Sequence, residues 1–249
     1  MTVDYEKLDR VAVIRLNRPE KRNAFDAALT AGLDRALNEA EDDPEVWAVV
    51  LTGVGQGFSA GTDLAAGSGG QTERGGEYGV IRRHRTKPLI AAVEGFAFGG
   101  GMEVVLACDL VVAARTAKFG LPEVRRGVIA TCGALFRTQR ALPLNIAKEM
   151  LLTGDPLPAE RAYQVGFVNT LAEEGTALKL ATELAHRICR NAPISVRESL
   201  IAVERTNAAN DAAAWATTEQ AMLTTLASAD TSEGIAAFLE RREPRWTGR

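Results

Sequence analysis

The spacing of apolar positions changes period several times along the chain, and each change marks an element. Val3, Tyr5 and Lys7 alternate with Asp4 and Glu6, and residues 11–16 (VAVIRL) repeat the strand pattern, with Leu8-Asp9-Arg10 as the turn between two short paired strands. From about residue 26 to 42 the period becomes helical, with Ala28, Leu29, Leu33, Ala36, Leu37 and Ala40 on one face and Pro44 beyond the end. Residues 46–51 read as a strand. Residues 89–93 (LIAAV) suit a buried strand, as do residues 109–114. Between these two runs stand Gly99, Gly100 and Gly101, followed by an apolar segment, 102–107, that reads as a helix. Residues 65–80 are rich in glycine and polar groups and read as a mobile loop, with a short helix expected from Tyr78 to Arg85.

The second half is helical in pattern. A helix is expected over 144–153 with Gly154 as its C-cap, and another opens at Pro156-Leu157-Pro158-Ala159 and stops at Gly166-Phe167-Val168. Leu178, Ala181, Ala185 and Ile188 share one helical face, and Val196, Leu200 and Val203 share another. An alanine-rich helix over about 208–226 and a last one over 232–242 complete the chain.

Composition narrows the function classes. The 249 residues are 46% hydrophobic and 24% charged, as in a globular protein of one large or two smaller domains. A net charge of −3 gives no electrostatic reason to expect nucleic acid or an anionic membrane as partner. The cluster Arg82-Arg83-His84-Arg85 reads as a solvated face. Three scattered cysteines, Cys108, Cys132 and Cys189, and two histidines, His84 and His186, match no metal spacing and no disulfide framework, which predicts a reducing compartment and no bound metal. No apolar run approaches the roughly 20 residues of a membrane span, and the N-terminus does not read as a signal peptide. A cytoplasmic location is the expectation.

Candidate chemistry lies in residues 88–123. Glycines at the start of a helix let a ligand approach the backbone, and the free N–H groups there face it. Glu103 falls in the first turn of that helix and Glu123 follows Pro122, 20 residues on. Two carboxylates beside backbone donors make a plausible acid/base pair if their environments separate their pKa values. The plain alternative is that Glu103 is only a first-turn acid and Glu123 a surface residue. Earlier, Gly53-Val54-Gly55 begins like a dinucleotide fingerprint, but the third glycine position holds Phe58. Gly57-Phe58-Ser59-Ala60-Gly61 matches the G-x-S-x-G nucleophile pattern, yet four residues separate it from the preceding strand, whereas the elbow needs strand, sharp turn and helix in succession.

The run P-L-I-A-A-V-E-G-F-A-F-G-G-G-M-E, followed by C-D-L and F-G-L-P-E, resembles the enoyl-CoA hydratase/isomerase (crotonase) superfamily. The resemblance continues through Asn17-Arg18-Pro19 to Asn23-Ala24, Phe58-Ser59-Ala60-Gly61-Thr62-Asp63-Leu64, the stretch ending in Gly166-Phe167-Val168, and the closing S-E-G-I-A-A-F-L-E-R-R-E-P-R-W. It implies an α/β crotonase (ClpP/crotonase-like) fold: a spiral of β-β-α units over about 1–190, then a helical C-terminal trimerisation region over 191–249. It implies catalytic Glu103 and Glu123, with Glu103 orienting water and Glu123 serving the α-carbon. It further implies an oxyanion hole from the N–H groups of Ala60 and Gly100, and contacts to a coenzyme A thioester from Lys21, Arg22, Ala24, Ser59, Ala60, Gly61, Thr62, Asp63 and Gly100. The implied activity is reversible hydration of a 2-enoyl-CoA, with no cofactor beyond the coenzyme A of the substrate and a homotrimer or dimer of trimers as the assembly. An isomerase, another acyl-CoA dehydratase or hydrolase, and a non-catalytic acyl-CoA-binding subunit are the alternatives. The segment 128–134 (VIATCGA) lacks the proline and paired glycines of the typical hydratase and is closer to the carnitinyl-CoA dehydratase-like branch, so the acyl group is left open.

Overall fold

The computed structural model describes residues 2–67 and 69–248. In chain order the strands and α-helices are β1 (Val3–Leu8), β2 (Val11–Leu16), α1 (Ala27–Asp42), β3 (Ala48–Gly53), β4 (Gln71–Thr72), β5 (Gly76–Glu77), β6 (Leu89–Val93), β7 (Phe96–Phe98), α2 (Gly100–Leu106), β8 (Leu110–Ala114), β9 (Lys118–Gly120), α3 (Ala134–Ala141), α4 (Leu144–Thr153), β10 (Leu157–Pro158), α5 (Ala159–Gln164), β11 (Thr170–Ala172), α6 (Ala177–Cys189), α7 (Pro193–Asn207), α8 (Asp211–Leu226) and α9 (Ala229–Glu240).

The main sheet runs β1-β2-β3-β6-β8-β11, antiparallel only at the β1–β2 hairpin and parallel from β2 onward. Parallel strands need crossovers and bury both faces, which is why β6 is an unbroken apolar run with all five residues buried. Alternate residues of the strands feed two separate cores. Val11, Val13, Ala48, Val50, Ile90, Ala92 and Val112 meet Ala177, Ala181 and Ala185 of α6. Those three alanines sit four apart, and their small side chains bring the helix axis close to the sheet. The opposite set, including Ile14, Leu51, Ala91 and Val111, enters the larger core with α1 and α2.

From β6 and again from β8 the chain steps after a short turn into a second sheet, β10-β9-β7, and then into a helical turn. The unit β6-β7-α2 is followed by β8-β9 and a 3-10 helix at Pro122–Arg126. The repeat places the ends of β7 and β9 side by side, with the N–H of Gly99 donating to the carbonyl of Gly120 at 2.9 Å. Glu103 and Glu123 stand just beyond those two ends.

Most expected elements are found within a few residues. The long first helix is capped by Asp26, whose carboxylate accepts from the N–H of Leu29 at 2.8 Å. Gly154 caps α4 in the left-handed conformation at φ +69°. Two expectations fail. Residues 78–82 form turns and 83–85 are irregular, so no helix forms there. The glycine-rich stretch before them contains a 3-10 turn, Leu64–Ala66, and the small β4–β5 hairpin, with Ser68 outside the described residues. The basic cluster at 82–85 is a solvated face only at Arg82 and His84. Arg83 is 8% exposed and binds Asn38 and Asp34, and Arg85 donates twice to Asp109, at 2.6 and 2.8 Å.

Asp109 also accepts from the N–H of Leu89 at 2.6 Å, so one carboxylate ties the start of β6 to the turn before β8. Its side chain and that of Arg85 are 12% and 9% exposed. Asp109→Ala leaves the Arg85 charge buried and unpaired, and is expected to lower the unfolding free energy by about 3 kcal/mol. Urea denaturation measures it, and a loss below about 1 kcal/mol would mean that this pair behaves as a surface one.

Candidate active site

Glycine is required where three segments converge. Gly61, at φ +98°, packs so closely on the next turn of the spiral that a Cβ would lie 2.8 Å from the carbonyl oxygen of Phe98 and 3.0 Å from the nitrogen of Gly100. Gly99, at φ +55°, lies against the Glu123 carboxylate, whose Oε1 would be 3.1 Å from an added Cβ. These contacts bring the loop after β3, the N-terminus of α2 and the 3-10 turn after β9 to one point. They border a cavity of about 610 Å³.

Of the residues expected at the site, Lys21, Arg22, Ala24, Ala60, Gly61, Thr62, Asp63, Gly100, Glu103 and Glu123 line this cavity. Ser59 does not. It is fully buried, donates its hydroxyl to the carbonyl of Asn23 at 2.8 Å and accepts from the N–H of Gly61 at 3.2 Å. It braces the loop and is placed neither as a nucleophile nor as a substrate contact. Asp63 is engaged by Arg18 at 2.8 Å and caps the following 3-10 turn through the N–H of Ala65, so its carboxylate holds the loop in shape.

A second correction concerns the oxyanion donors. The N–H of Ala60 donates to the carbonyl of Arg22 at 3.0 Å and is not available to a ligand. Two residues on, the carbonyl of Gly61 accepts from Phe25 and the N–H of Asp63 donates to the carbonyl of Phe25, which fixes the intervening peptide. In a trans peptide the N–H points opposite to its carbonyl. The N–H of Thr62 therefore points away from Phe25, and Gly61 beside it packs on Gly99 and Gly100. Among the described residues the N–H groups of Thr62 and Gly100 have no acceptor. Gly100 is the first residue of α2, where N–H groups have no intrahelical partner and the helix dipole favours negative charge. Sequence spacing alone does not separate Ala60 from Thr62, because the small residues around Gly61 satisfy the same pattern.

Glu103 is 2% exposed, and its Oε1 accepts from the N–H groups of Cys132 (2.7 Å) and Ala134 (3.1 Å). Burial, reinforced by the charge of Glu123, pushes its pKa up to about 8 in spite of those two donors. Burial likewise pushes Glu123 up to about 7, opposed by a backbone N–H and by the nearby Arg126. Its Oε2 is inaccessible and has no hydrogen-bond partner among the described residues. Groups this close in affinity titrate as a pair, and near neutral pH the pair can hold one proton and lack another. Tyr78, Thr131 and the apolar side chains Val128, Ile129, Met222, Leu226, Phe238 and Leu239 complete the wall. Tyr78 was hidden in sequence by the expectation of a helix at 78–85. The contribution of α8 and α9 has no sequence signal that separates it from ordinary amphipathic spacing.

Two acids facing two free backbone donors can hold the oxygen of a thioester while protons move at the adjacent carbons, the equipment of an enolate-forming acyl-thioester enzyme. The chain belongs to the enoyl-CoA hydratase/isomerase family, whose profile spans residues 6–249. It is 37% identical over 245 residues to a mevalonyl-coenzyme A hydratase of Aspergillus fumigatus, covering 95% of this chain and 91% of that protein. It is 35% identical over 246 residues to a short-chain-enoyl-CoA hydratase of Clostridium acetobutylicum, covering 96% and 94%. A solved carnitinyl-CoA dehydratase from Mycobacterium avium superposes with a TM-score of 0.92 at 44% identity over 100% of this chain and 99% of that one. The fold is accordingly the crotonase fold, with the local likeness to the carnitinyl-CoA dehydratase branch that segment 128–134 suggests.

The raised carboxyl pKa values fix a pH dependence of stability. Unfolded, each glutamate titrates near 4.5; folded, they titrate near 8 and 7. Their stabilising contribution is therefore complete below the unfolded value and is lost as pH rises through the folded ones. Glu123→Gln should gain unfolding temperature relative to the unaltered chain between pH 5 and pH 9, at about 2–4 °C per kcal/mol for a chain of this size. Thermal melts at both pH values check it, and an equal gap at each would exclude burial of the acid as the cause.

Proposed function

We propose that this chain is an enoyl-CoA hydratase in which Glu103 and Glu123 work as an acid/base pair and Thr62 and Gly100 form the oxyanion hole. The observation that carries this reading is the convergence of a buried and a half-buried carboxyl, both with raised pKa, and two backbone N–H groups that lack acceptors among the described residues. The substrate is an acyl-CoA thioester. The thioester oxygen accepts from Thr62 and Gly100, and the negative charge it gains as the enolate forms meets donors already in place. Glu103, held through Oε1 by Cys132 and Ala134, presents its other oxygen to a water molecule. With the proton of the pair on Glu123, the water oxygen bonds to the β-carbon as its proton passes to the Glu103 carboxylate, the double-bond electrons move through the α-carbon onto the thioester oxygen, and as they return to the α-carbon it takes the proton from Glu123. Dehydration is the same path reversed.

The exposed Lys21 and Arg22 suit the phosphates of coenzyme A, and the apolar side chains from α8 and α9 suit an acyl group. The thioester itself acidifies the α-proton, so the reaction as drawn uses no metal or redox group. A homotrimer, or a dimer of trimers, fits the exposed apolar residues Ile194 (65%), Val203 (64%) and Leu223 (54%) on α7 and α8. No helix among the described residues is long and apolar enough to cross a membrane, which is compatible with a cytoplasmic location.

The test is loss of enoyl-thioester absorbance when purified protein meets a panel of 2-enoyl-CoAs. Glu103→Gln and Glu123→Gln are each expected to lower kcat by about 10²–10⁴-fold. Ser59→Ala should remain labelled by no serine-directed probe, as should the unaltered chain. Absence of hydration across the panel, with acyl-CoA still bound, would remove the hydratase reading. For the assembly, sedimentation velocity at micromolar concentration should give a trimer or hexamer, and a monomer would exclude it.

A further inference from the structure

Tyr78 occupies a conformation that a large side chain seldom adopts. Its φ is +54°, in the left-handed region, yet its side chain is 6% exposed. Such a residue persists only where its surroundings hold it, and strain of this kind clusters at functional sites. The surroundings are specific. The hydroxyl lies 2.7 Å from Thr62 Oγ1. The phenol packs so closely on Gly100 that a Cβ there would be 2.5 Å from the hydroxyl oxygen and 2.6 Å from Cζ. Behind the ring stand Gly69, where a Cβ would be 2.3 Å from Cε1, and Phe25, with ring centroids 4.8 Å apart.

Thr62 and Gly100 both line the cavity with N–H groups that have no acceptor among the described residues. One side chain thus touches both, bonding one through its hydroxyl and packing on the other with its ring. Thr62 lies in a loop and Gly100 on a helix, and the spacing of their N–H groups depends on what wedges the loop against the helix. We propose that Tyr78 is a positioning residue for the reaction: its hydroxyl bond to Thr62 and its contact with Gly100 set the separation of the two oxyanion donors. This rests on the hydratase reading above. Oxyanion stabilisation works only when donors are fixed before charge develops, and small misplacements cost rate steeply. Burial keeps the phenol pKa well above its usual value, so the group stays a neutral O–H throughout the working range.

The experiment reads carbonyl polarisation directly. A conjugated enoyl-CoA thioester bound in an oxyanion hole absorbs at longer wavelength than it does free, because its carbonyl is drawn toward the enolate. Tyr78→Phe keeps the ring and removes the hydroxyl. It is expected to lower kcat about tenfold or more, leave KM within about twofold, and shrink the red shift of bound 2,4-hexadienoyl-CoA, with the melting temperature little changed. Thr62→Val keeps the backbone N–H and removes the partner hydroxyl, so it should reproduce the loss. The double variant should lose no more than Tyr78→Phe alone, since the Tyr78–Thr62 bond is already absent there. A Tyr78→Phe protein with an unaltered kcat and red shift would overturn the proposal, as would additive losses in the double variant. If the unaltered protein binds the ligand with no red shift, the oxyanion-hole reading fails first and this inference with it.

Discussion

Two backbone N–H groups, those of Cys132 and Ala134, hold the carboxylate of Glu103 in the interior. A carboxyl 2% exposed is costly to ionise, and without partners it would be costly even to place there. The bond joins the first turn of α2 to the start of α3, so the segment from Pro122 to Gly133 must loop out between two fixed points. Glu123 is in that loop. The interaction that fixes one acid therefore fixes the region in which the other can stand. Burial raises both acids toward neutrality, which is what lets a pair share acid and base roles.

The donor side of the cavity is built by a different constraint. Asn23 is fully buried and donates to the carbonyls of Val54 and Gly57, each at 2.9 Å. With Arg18 on Asp63 and Ala60 on Arg22, it stitches the loop after β3 to the loop before α1. From Phe58 to Asp63 every N–H except that of Thr62 has an acceptor in the loop or in a neighbouring segment. The N–H of Thr62 is left over because both of its neighbours are committed to Phe25. A free donor here is a residue of hydrogen-bond accounting, in which buried groups are paired unless something else is to meet them.

Much of this protein was legible in order along the chain. The period-2 and period-3.6 patterns located β2, β6, β8, α1 and α4, because each buries one face or all of its surface and its apolar spacing follows directly from that. The helix expected over 78–85 does not form, because a positive φ at Tyr78 and ion pairs to Asp34 and Asp109, which are distant in sequence, override the helical pattern. Half of the basic cluster, Arg83 and Arg85, turns inward for the same reason: their partners lie 49 and 24 positions away. Ser59 and Ala60 satisfied a motif, but a motif does not say which of its N–H groups has already found an acceptor.

By itself the sequence determined the alternation of strand and helix, the glycine-lined turn at the head of α2, the two candidate acids and the family. Those depend on residue type and spacing, which the chain carries explicitly. Only the tertiary structure decided that Thr62 rather than Ala60 offers a free donor, that Tyr78 bridges the donor pair, and that α8 and α9 wall the cavity of their own chain. Each of these is a question of which group lies next to which across dozens of residues. Close packing and hydrogen-bond pairing answer it only once the chain has folded.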